Sequence, residues 1–355
     1  MRFERSRDTC DEYPERVSPR ERLLAAFDRT PDDGPMVIGH RGAPGYRPEH
    51  TRSSYLLAIE SGVDAVEPDV VVSRDGVLVV RHDAEIGETT DVATRPEFAD
   101  RRTRRVIDGI ALDGWFTDDF TWAELATLRC RERIPALREA SARFDGAEPM
   151  LRLPDLLALV AAASDRVGRE VAIVIEVKHA AHFAARGWDL AALVARDLAA
   201  AGFSGPVVIE SFEQGVLTAL QQRGVAASYV YLVEAEGAAA DLVAADGEDA
   251  ATYTSQLTPD GLDALAGQVD GISVDKALLL DPARRRVVAD AHARGLAVFT
   301  WTARPENAFL SERFRRGGGD AAFGDWRGEW REIWGSGVDG VFVDHADLGV
   351  GFARG

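Results

Sequence analysis

Hydrophobic positions in this chain fall into short runs rich in valine and isoleucine, separated by longer stretches in which alanine and leucine recur at helical spacing. That alternation is the pattern of βαβ units and a parallel sheet, because each parallel strand needs a crossover to return to the same end. The runs are MVIG (36–39), DAVEPDVVV (64–72), VLVVRH (77–82), VAIVIEVK (171–178), PVVIESF (206–212), SYVYLV (228–233), GISVD (271–275), LAVFTWT (296–302) and DGVFVD (339–344). An eight-stranded barrel has room for one fewer. Only Ser73-Arg74-Asp75-Gly76 separates the second run from the third, too little for a crossover, so VLVVRH returns antiparallel as a hairpin. With Arg74 and Asp75 central in the turn, ideal pairing puts His82 opposite Glu67. The expected architecture is α/β, a (β/α)8 TIM barrel over residues 36–355 preceded by an N-terminal extension, 1–35. After the second strand and its hairpin, residues of about 84–148 carry few barrel signals and a charged run, DRRTRR, and are expected to form an inserted subdomain beside the active site.

Strand periodicity also sorts the polar residues. Glu67 and Asp69 stand two apart and share one face, while Val66, Pro68 and Val70 take the other. Two carboxylates side by side repel, and a hard cation is the usual remedy. Glu176 follows five apolar residues at a strand end, which is a poor setting for a surface group, and Lys178 shares its face. Glu67, Asp69 and Glu176 thus form a three-carboxylate oxygen site suited to Ca2+ or Mg2+, and the lack of nearby cysteine ligands argues against structural zinc. His40-Arg41-Gly42 directly follows the first strand, and His82-Asp83 ends the returning hairpin. Two histidines converging on one metal-bound phosphodiester give an acid and a base near neutral pH, and an arginine can hold its phosphate bidentately. Glu49 is placed to orient Arg41 or a ligand, while Thr51 is the expected N-cap of the helix beginning SSYLLAIES. Trp301, Glu210, Lys276, Arg304 and Asp344 also sit at strand ends, and Trp301 offers a face to an alcohol substituent.

Composition narrows the ligand. A net charge of −18 argues against nucleic acid and anionic membrane surfaces, both of which attract basic patches, so a small molecule is expected. Of 41 basic residues only Lys178 and Lys276 are lysine, which marks them as sites that need a compact ammonium. Cys10 and Cys130 are too few for a disulfide framework. The charged N-terminus lacks the apolar core of a secretory leader, so a cytoplasmic location is expected, or a periplasmic or secreted one if a leader precedes this numbering. The glycines of Arg316-Gly317-Gly318-Gly319-Asp320 lack the spacing and strand context of a phosphate loop.

HRGAPGYRPEHT (40–51), VEPDVVVSRDGVLVVRHD (66–83), IEVK (175–178), ESF (210–212), FTWT (299–302) and DGVFVDHAD (339–347) together resemble the glycerophosphodiester phosphodiesterase family. The insertion, with GWFTDDFTWAELATLRCRERIP, is similar to the longer bacterial branch typified by periplasmic members. The resemblance implies one divalent ion, Ca2+ ahead of Mg2+, on Glu67, Asp69 and Glu176. It implies His40 and His82 as general acid and base, with Arg41 and Lys178 on the phosphate, and hydrolysis of a small-molecule glycerophosphodiester to glycerol 3-phosphate and an alcohol. His50 stands where the family usually has Asn, Glu210 where Gln is common and Ala346 where Pro is usual. Rival readings are a phospholipase D-like enzyme on the same barrel, acting on lysophospholipids or sphingomyelin, and a binding module that kept the fold without its chemistry.

Overall fold

The computed structural model describes residues 17–284 and 286–355, so Cys10 lies outside the described residues. Its strands are β1 (Met36–His40), β2 (Ala65–Glu67), β3 (Asp69–Val72), β4 (Leu78–Val80), β5 (Thr103–Ile107), β6 (Ile110–Gly114), β7 (Ala172–Val177), β8 (Val207–Ser211), β9 (Ser228–Val233), β10 (Gly271–Asp275), β11 (Ala297–Ala303) and β12 (Gly340–Val343). β2 and β3 are one barrel stave interrupted at Pro68, which has no backbone N–H to give the ladder. β2 pairs with β1 and β7, β3 pairs with β7, and β12 pairs with β1 and β11, so eight parallel staves close into a (β/α)8 barrel.

β4 runs antiparallel to β3, but one residue out of the expected register: Val70 faces Val80 and Val72 faces Leu78. Extending that register puts His82 opposite Pro68 rather than Glu67. The reason lies in the turn, which has three residues instead of two. Ser73 N–H donates to Val77 O (2.9 Å), Gly76 N–H to Ser73 O (3.1 Å), and Gly76 adopts φ +75°, the left-handed conformation that a three-residue hairpin loop requires. Paired strand ends at Val80, which leaves His82 free to turn into the barrel mouth.

Alternation along the staves divides the barrel interior into two levels. The lower one is a single apolar cluster: Met36, Ile38, Ala65, Ala172, Val174, Val208, Val230, Ala297, Phe299 and Phe342. Leu23 and Leu24 complete it, brought there by α1 (Pro19–Ala26), whose Ser18 cap accepts from Glu21 N–H while Glu21 reaches back to Ser18 N–H. Arg20 pairs with Asp339 at 2.8 Å and fixes this helix under the barrel, so part of the expected 1–35 extension is the floor of the core. Two residues farther up the same staves the side chains become His40, Glu67, Glu176 and Glu210.

Residues 84–148 contain short 3-10 turns and the β5–β6 hairpin, and Phe98, Phe116 and Phe120 join the core that also covers the outside of the barrel. The charged DRRTRR run enters β5. Its turn, Asp108-Gly109, has φ +49° and +81°, matching the Asp-Gly preference of tight hairpins, a signal that the sequence analysis left unread. Among the described residues no helix is long and apolar enough to cross a membrane.

Candidate active site

Glu67, Glu176 and Glu210 each bring a carboxylate oxygen within 4.8 Å of the others, and all three are buried. Register places them: Glu176 pairs with Asp69 on one side and Glu210 on the other, and Glu67 pairs with His40. Glu67 Oε1 and Glu210 Oε2 have no hydrogen-bond partner. Burial, together with repulsion from the neighbouring carboxylates, pushes Glu67 and Glu210 well above the usual carboxylate range, and Glu176 up to about 8. Orphaned, crowded oxygen donors are what a hard divalent cation satisfies, so the residues present fit such an ion.

Asp69, expected among the ligands, is not in this trio. It accepts from His50 Nε2 (2.9 Å), and Lys178 Nζ (3.2 Å) and Arg41 Nε (3.4 Å) lie beside it. Burial alone would raise its pKa, but Lys178, His82, Arg41 and the His50 hydrogen bond hold it well below the ordinary value. Asp69 still adjoins the trio, pairing with Glu176 across the ladder, and Glu210, weighed as a possible outer or substrate group, stands on the other side of Glu176. His50 is fully buried, with Nδ1 on Tyr55 Oη (2.7 Å), and does not line the cavity. Its φ of +59° belongs to the left-handed region where Asn and His are enriched, which gives the Asn-to-His departure a backbone reason.

Arg41 also has positive φ (+54°), and Gly42 after it (+93°) lies so close to α2 (Arg52–Ser61) that a Cβ would meet Ser54 at 2.5 Å. This turn aims Arg41 N–H at Glu67 Oε2 (2.8 Å) and its guanidinium at Glu49 Oε2 (3.0 Å). Thr51 caps α2 by accepting from Ser54 N–H. Glu49 is buried and shared, for Arg133 grips it through Nε (2.9 Å) and Nη2 (2.6 Å). Lys178 pairs with Glu176 as well as Asp69, and these two carboxylates keep its pKa raised although burial lowers it.

His40 Nδ1 meets Asp344 Oδ1 at 2.7 Å, and His82 Nδ1 meets Asp83 Oδ1 at 2.6 Å. A carboxylate on Nδ1 fixes the tautomer with its proton there and leaves Nε2 available. Burial and the Arg41 charge lower His40 to about 4; burial, Arg41 and Lys178 lower His82 to about 3. Both histidines, Arg41, Lys178 and the carboxylate trio line one cavity of about 360 Å³ at the C-terminal ends of the staves. Trp301 forms part of its wall, edge-to-face with Phe212 at 5.6 Å. Lys276 also lines it, but its ammonium bonds Glu329 (2.6 Å) and Phe309 O (2.7 Å), the neutralising partner of a buried carboxylate. Arg133 and Arg138 carry no signal in the sequence, because they sit in irregular chain where no periodicity marks a direction.

Buried acids, two imidazole–carboxylate pairs and two cations at the mouth of a (β/α)8 barrel define an enzyme of the kind that handles charged substrates on that face. The chain belongs to the glycerophosphoryl diester phosphodiesterase family, whose model matches residues 40–348. A glycerophosphodiester phosphodiesterase of Arabidopsis thaliana is 30% identical over 352 residues, covering 94% of this chain and 90% of the relative. Among solved structures, a Silicibacter pomeroyi protein assigned to the same family superposes with a TM-score of 0.65 at 24% identity, covering 94% of this chain and 97% of the other. An Oleispira antarctica phosphodiesterase, solved with the product sn-glycerol-3-phosphate, gives 0.59 at 18% identity, covering 91% and 98%. At such identities these two share the fold. Family membership makes the chain a phosphodiesterase that hydrolyses glycerophosphodiesters, a family that generally binds a divalent metal.

Proposed function

We propose that the chain splits glycerophosphodiesters into sn-glycerol 3-phosphate and an alcohol, using one divalent cation held among Glu67, Asp69, Glu176 and Glu210 and proton transfer by His40 and His82. The observation that carries this reading is the pair of imidazoles, each held through Nδ1 by a carboxylate, facing a cavity that also contains the crowded, buried carboxylates. A cation bound there neutralises the acids and stabilises charge developing on the phosphoryl oxygens. The chain's own groups do the rest. Arg41 and Lys178 hold the diester's anionic oxygens in the cavity. One histidine Nε2 accepts the proton of the attacking hydroxyl, and the other returns a proton to the departing alcohol oxygen. Burial first and the Arg41 charge second lower both imidazoles, and the diester anion opposes the second of these when it enters, which favours a protonated partner at the moment one is needed. The departing alcohol lies against Trp301 and Phe212.

The product retained by the Oleispira antarctica relative supports the glycerol 3-phosphate half of this reading. The test is release of glycerol 3-phosphate from a panel of glycerophosphodiesters, before and after exhaustive chelation. Activity should vanish with EDTA and return with Ca2+ or Mg2+, and Glu176→Gln should need more cation for half-maximal rate. Full turnover after chelation rules out the cation's part. Comparing glycerophosphocholine with lysophosphatidylcholine separates this reading from the phospholipase D-like one, which requires turnover of the acylated substrate.

A further inference from the structure

Each histidine's carboxylate is split in the same way. Asp83 gives Oδ1 to His82 and Oδ2 to Arg133 Nη1 (2.5 Å), while Asp344 gives Oδ1 to His40 and Oδ2 to two guanidiniums, Arg138 Nη2 (2.5 Å) from the insertion and Arg304 Nε (2.6 Å) from the loop after β11. Each insertion arginine is in turn anchored on a second buried carboxylate of the barrel loops, Arg133 on Glu49 and Arg138 on Glu306 (2.8 Å). Both arginines come from one irregular loop of the inserted segment, 131–138. That loop is tied down from within and from the chain that follows it: Arg138 N–H donates to Ile134 O (3.1 Å), Ile134 N–H to Glu132 Oε1 (3.0 Å), and Glu132 N–H to Asp145 Oδ1 (2.7 Å). The two side chains flank a small cavity of about 100 Å³ that opens beside His40 and Arg41.

We propose that Arg133 and Arg138 are positioning residues, through which the inserted segment sets the orientation of both histidines at once. A carboxylate bound by one oxygen to an imidazole can still swing about its own Cβ–Cγ bond. A guanidinium on the other oxygen removes that freedom, and its planar fork then fixes the ring's Nε2 direction. The arrangement gives the insertion a task in the chemical step. It also divides the two arginines, because Arg133 holds Glu49 and thereby Arg41, whereas Arg138 reaches only the His40 side.

This inference rests on the reading of His40 and His82 as proton-transfer groups. In the full-length, metal-loaded enzyme, Arg138→Met should lower kcat about 10- to 100-fold with KM for glycerophosphocholine little changed. Arg133→Met should lower kcat in the same range and raise KM as well. Arg138→Lys keeps the charge without the fork and should recover only part of kcat, and it serves as the folded variant if the methionine change unfolds the chain. The decisive measurement is a double-mutant cycle. In an Asp344→Asn background the Arg138 substitution should cost far less than in the parent, because the carboxylate through which it acts is already altered. Losses that simply multiply in the double mutant, or an unchanged kcat in both Arg138 variants, overturn the inference while leaving the reaction intact. Normal rates in His40→Ala and His82→Ala overturn the underlying reading, and the inference with it.

Discussion

The lower and upper levels of the barrel interior are built from the same staves with the same inward parity, yet they solve opposite problems. Below, Ile38, Val174, Val208 and Phe299 pack in one apolar cluster with Leu23 and Leu24 from α1. Burial of such side chains is favourable. One inward position higher, His40, Glu176, Glu210 and Trp301 face the cavity, and the acids are crowded and desolvated. The upper level is a cost the lower level offsets. The barrel therefore separates residues that hold the fold from residues whose strained ionisation makes them useful, and it does so with a spacing of two residues along the chain.

The largest effect that tests this division is on rate. His40→Ala and His82→Ala should each lose about 10²- to 10⁴-fold in turnover while unfolding near the parent's midpoint. With a p-nitrophenyl diester, whose leaving oxygen needs little protonation, the variant lacking the acid should be partly rescued and the variant lacking the base should not. Rescue of neither removes the acid assignment from both histidines. The matching change below is Phe299→Ala, which opens a void beside Phe342 and should cost about 3 to 5 kcal/mol of stability with KM unchanged. A lower-level variant that alters KM, or a histidine variant that melts early, would blur the two levels into one.

Much of this division was legible in the sequence, and its limits are physical. Runs of Val and Ile ending in Glu176 or His40 announced strands whose last inward residue is charged. Strict alternation puts Asp69 on the face of Glu67, and PVVIES gives Glu210 the same setting as Glu176. No spacing shows the break at Pro68, which starts a new strand segment, or the convergence of His50, Arg41 and Lys178 on Asp69. The hairpin register slipped by one because a three-residue turn and a two-residue turn differ only in whether Gly76 belongs to the loop. The floor helix was written in Ser18-Pro19-Arg20-Glu21, a capping-box spacing with proline at the first turn, and was passed over as charged extension. Arg133 and Arg138 had no comparable signal, since irregular chain carries no period from which to read a direction.

A smaller effect appears on acidification. The unfolded imidazole titrates near 6.5 and His40 in the fold near 4, so between these values the unfolded chain binds the extra proton and the native one does not. Stability therefore falls as pH drops from about 6.5 to 4, by roughly 3 kcal/mol from this residue. Asp344, held well below the ordinary carboxylate range against its own burial by Arg304, Arg138 and His40, adds a separate loss at lower pH, once the unfolded carboxylate begins to protonate near 3.8. Urea titrations of the parent and His40→Gln at several pH values should show a flatter acid slope in the variant. Parallel slopes would mean that His40 titrates normally in the fold.

The smallest expected effect has the opposite sign and sharpens the comparison most. Burial and the neighbouring carboxylates raise the pKa of Glu210, so as pH climbs above about 4.5 the unfolded chain releases a proton that the native, metal-free protein retains. The native state then binds more protons, and metal-free stability declines with rising pH. Glu210→Gln removes that contribution and should stabilise the metal-free protein, by on the order of 1 kcal/mol near neutral pH and by less at pH 5. Adding Ca2+ or Mg2+ should reverse the ranking, because the parent gains binding free energy through a carboxylate that the amide cannot match. Denaturation in chelator at two pH values, repeated with saturating cation, reads all of this from one pair of proteins. If Glu210→Gln is the less stable of the two without metal at pH 8, Glu210 is a settled structural residue, and the upper level of the barrel is not strained where the trio is densest.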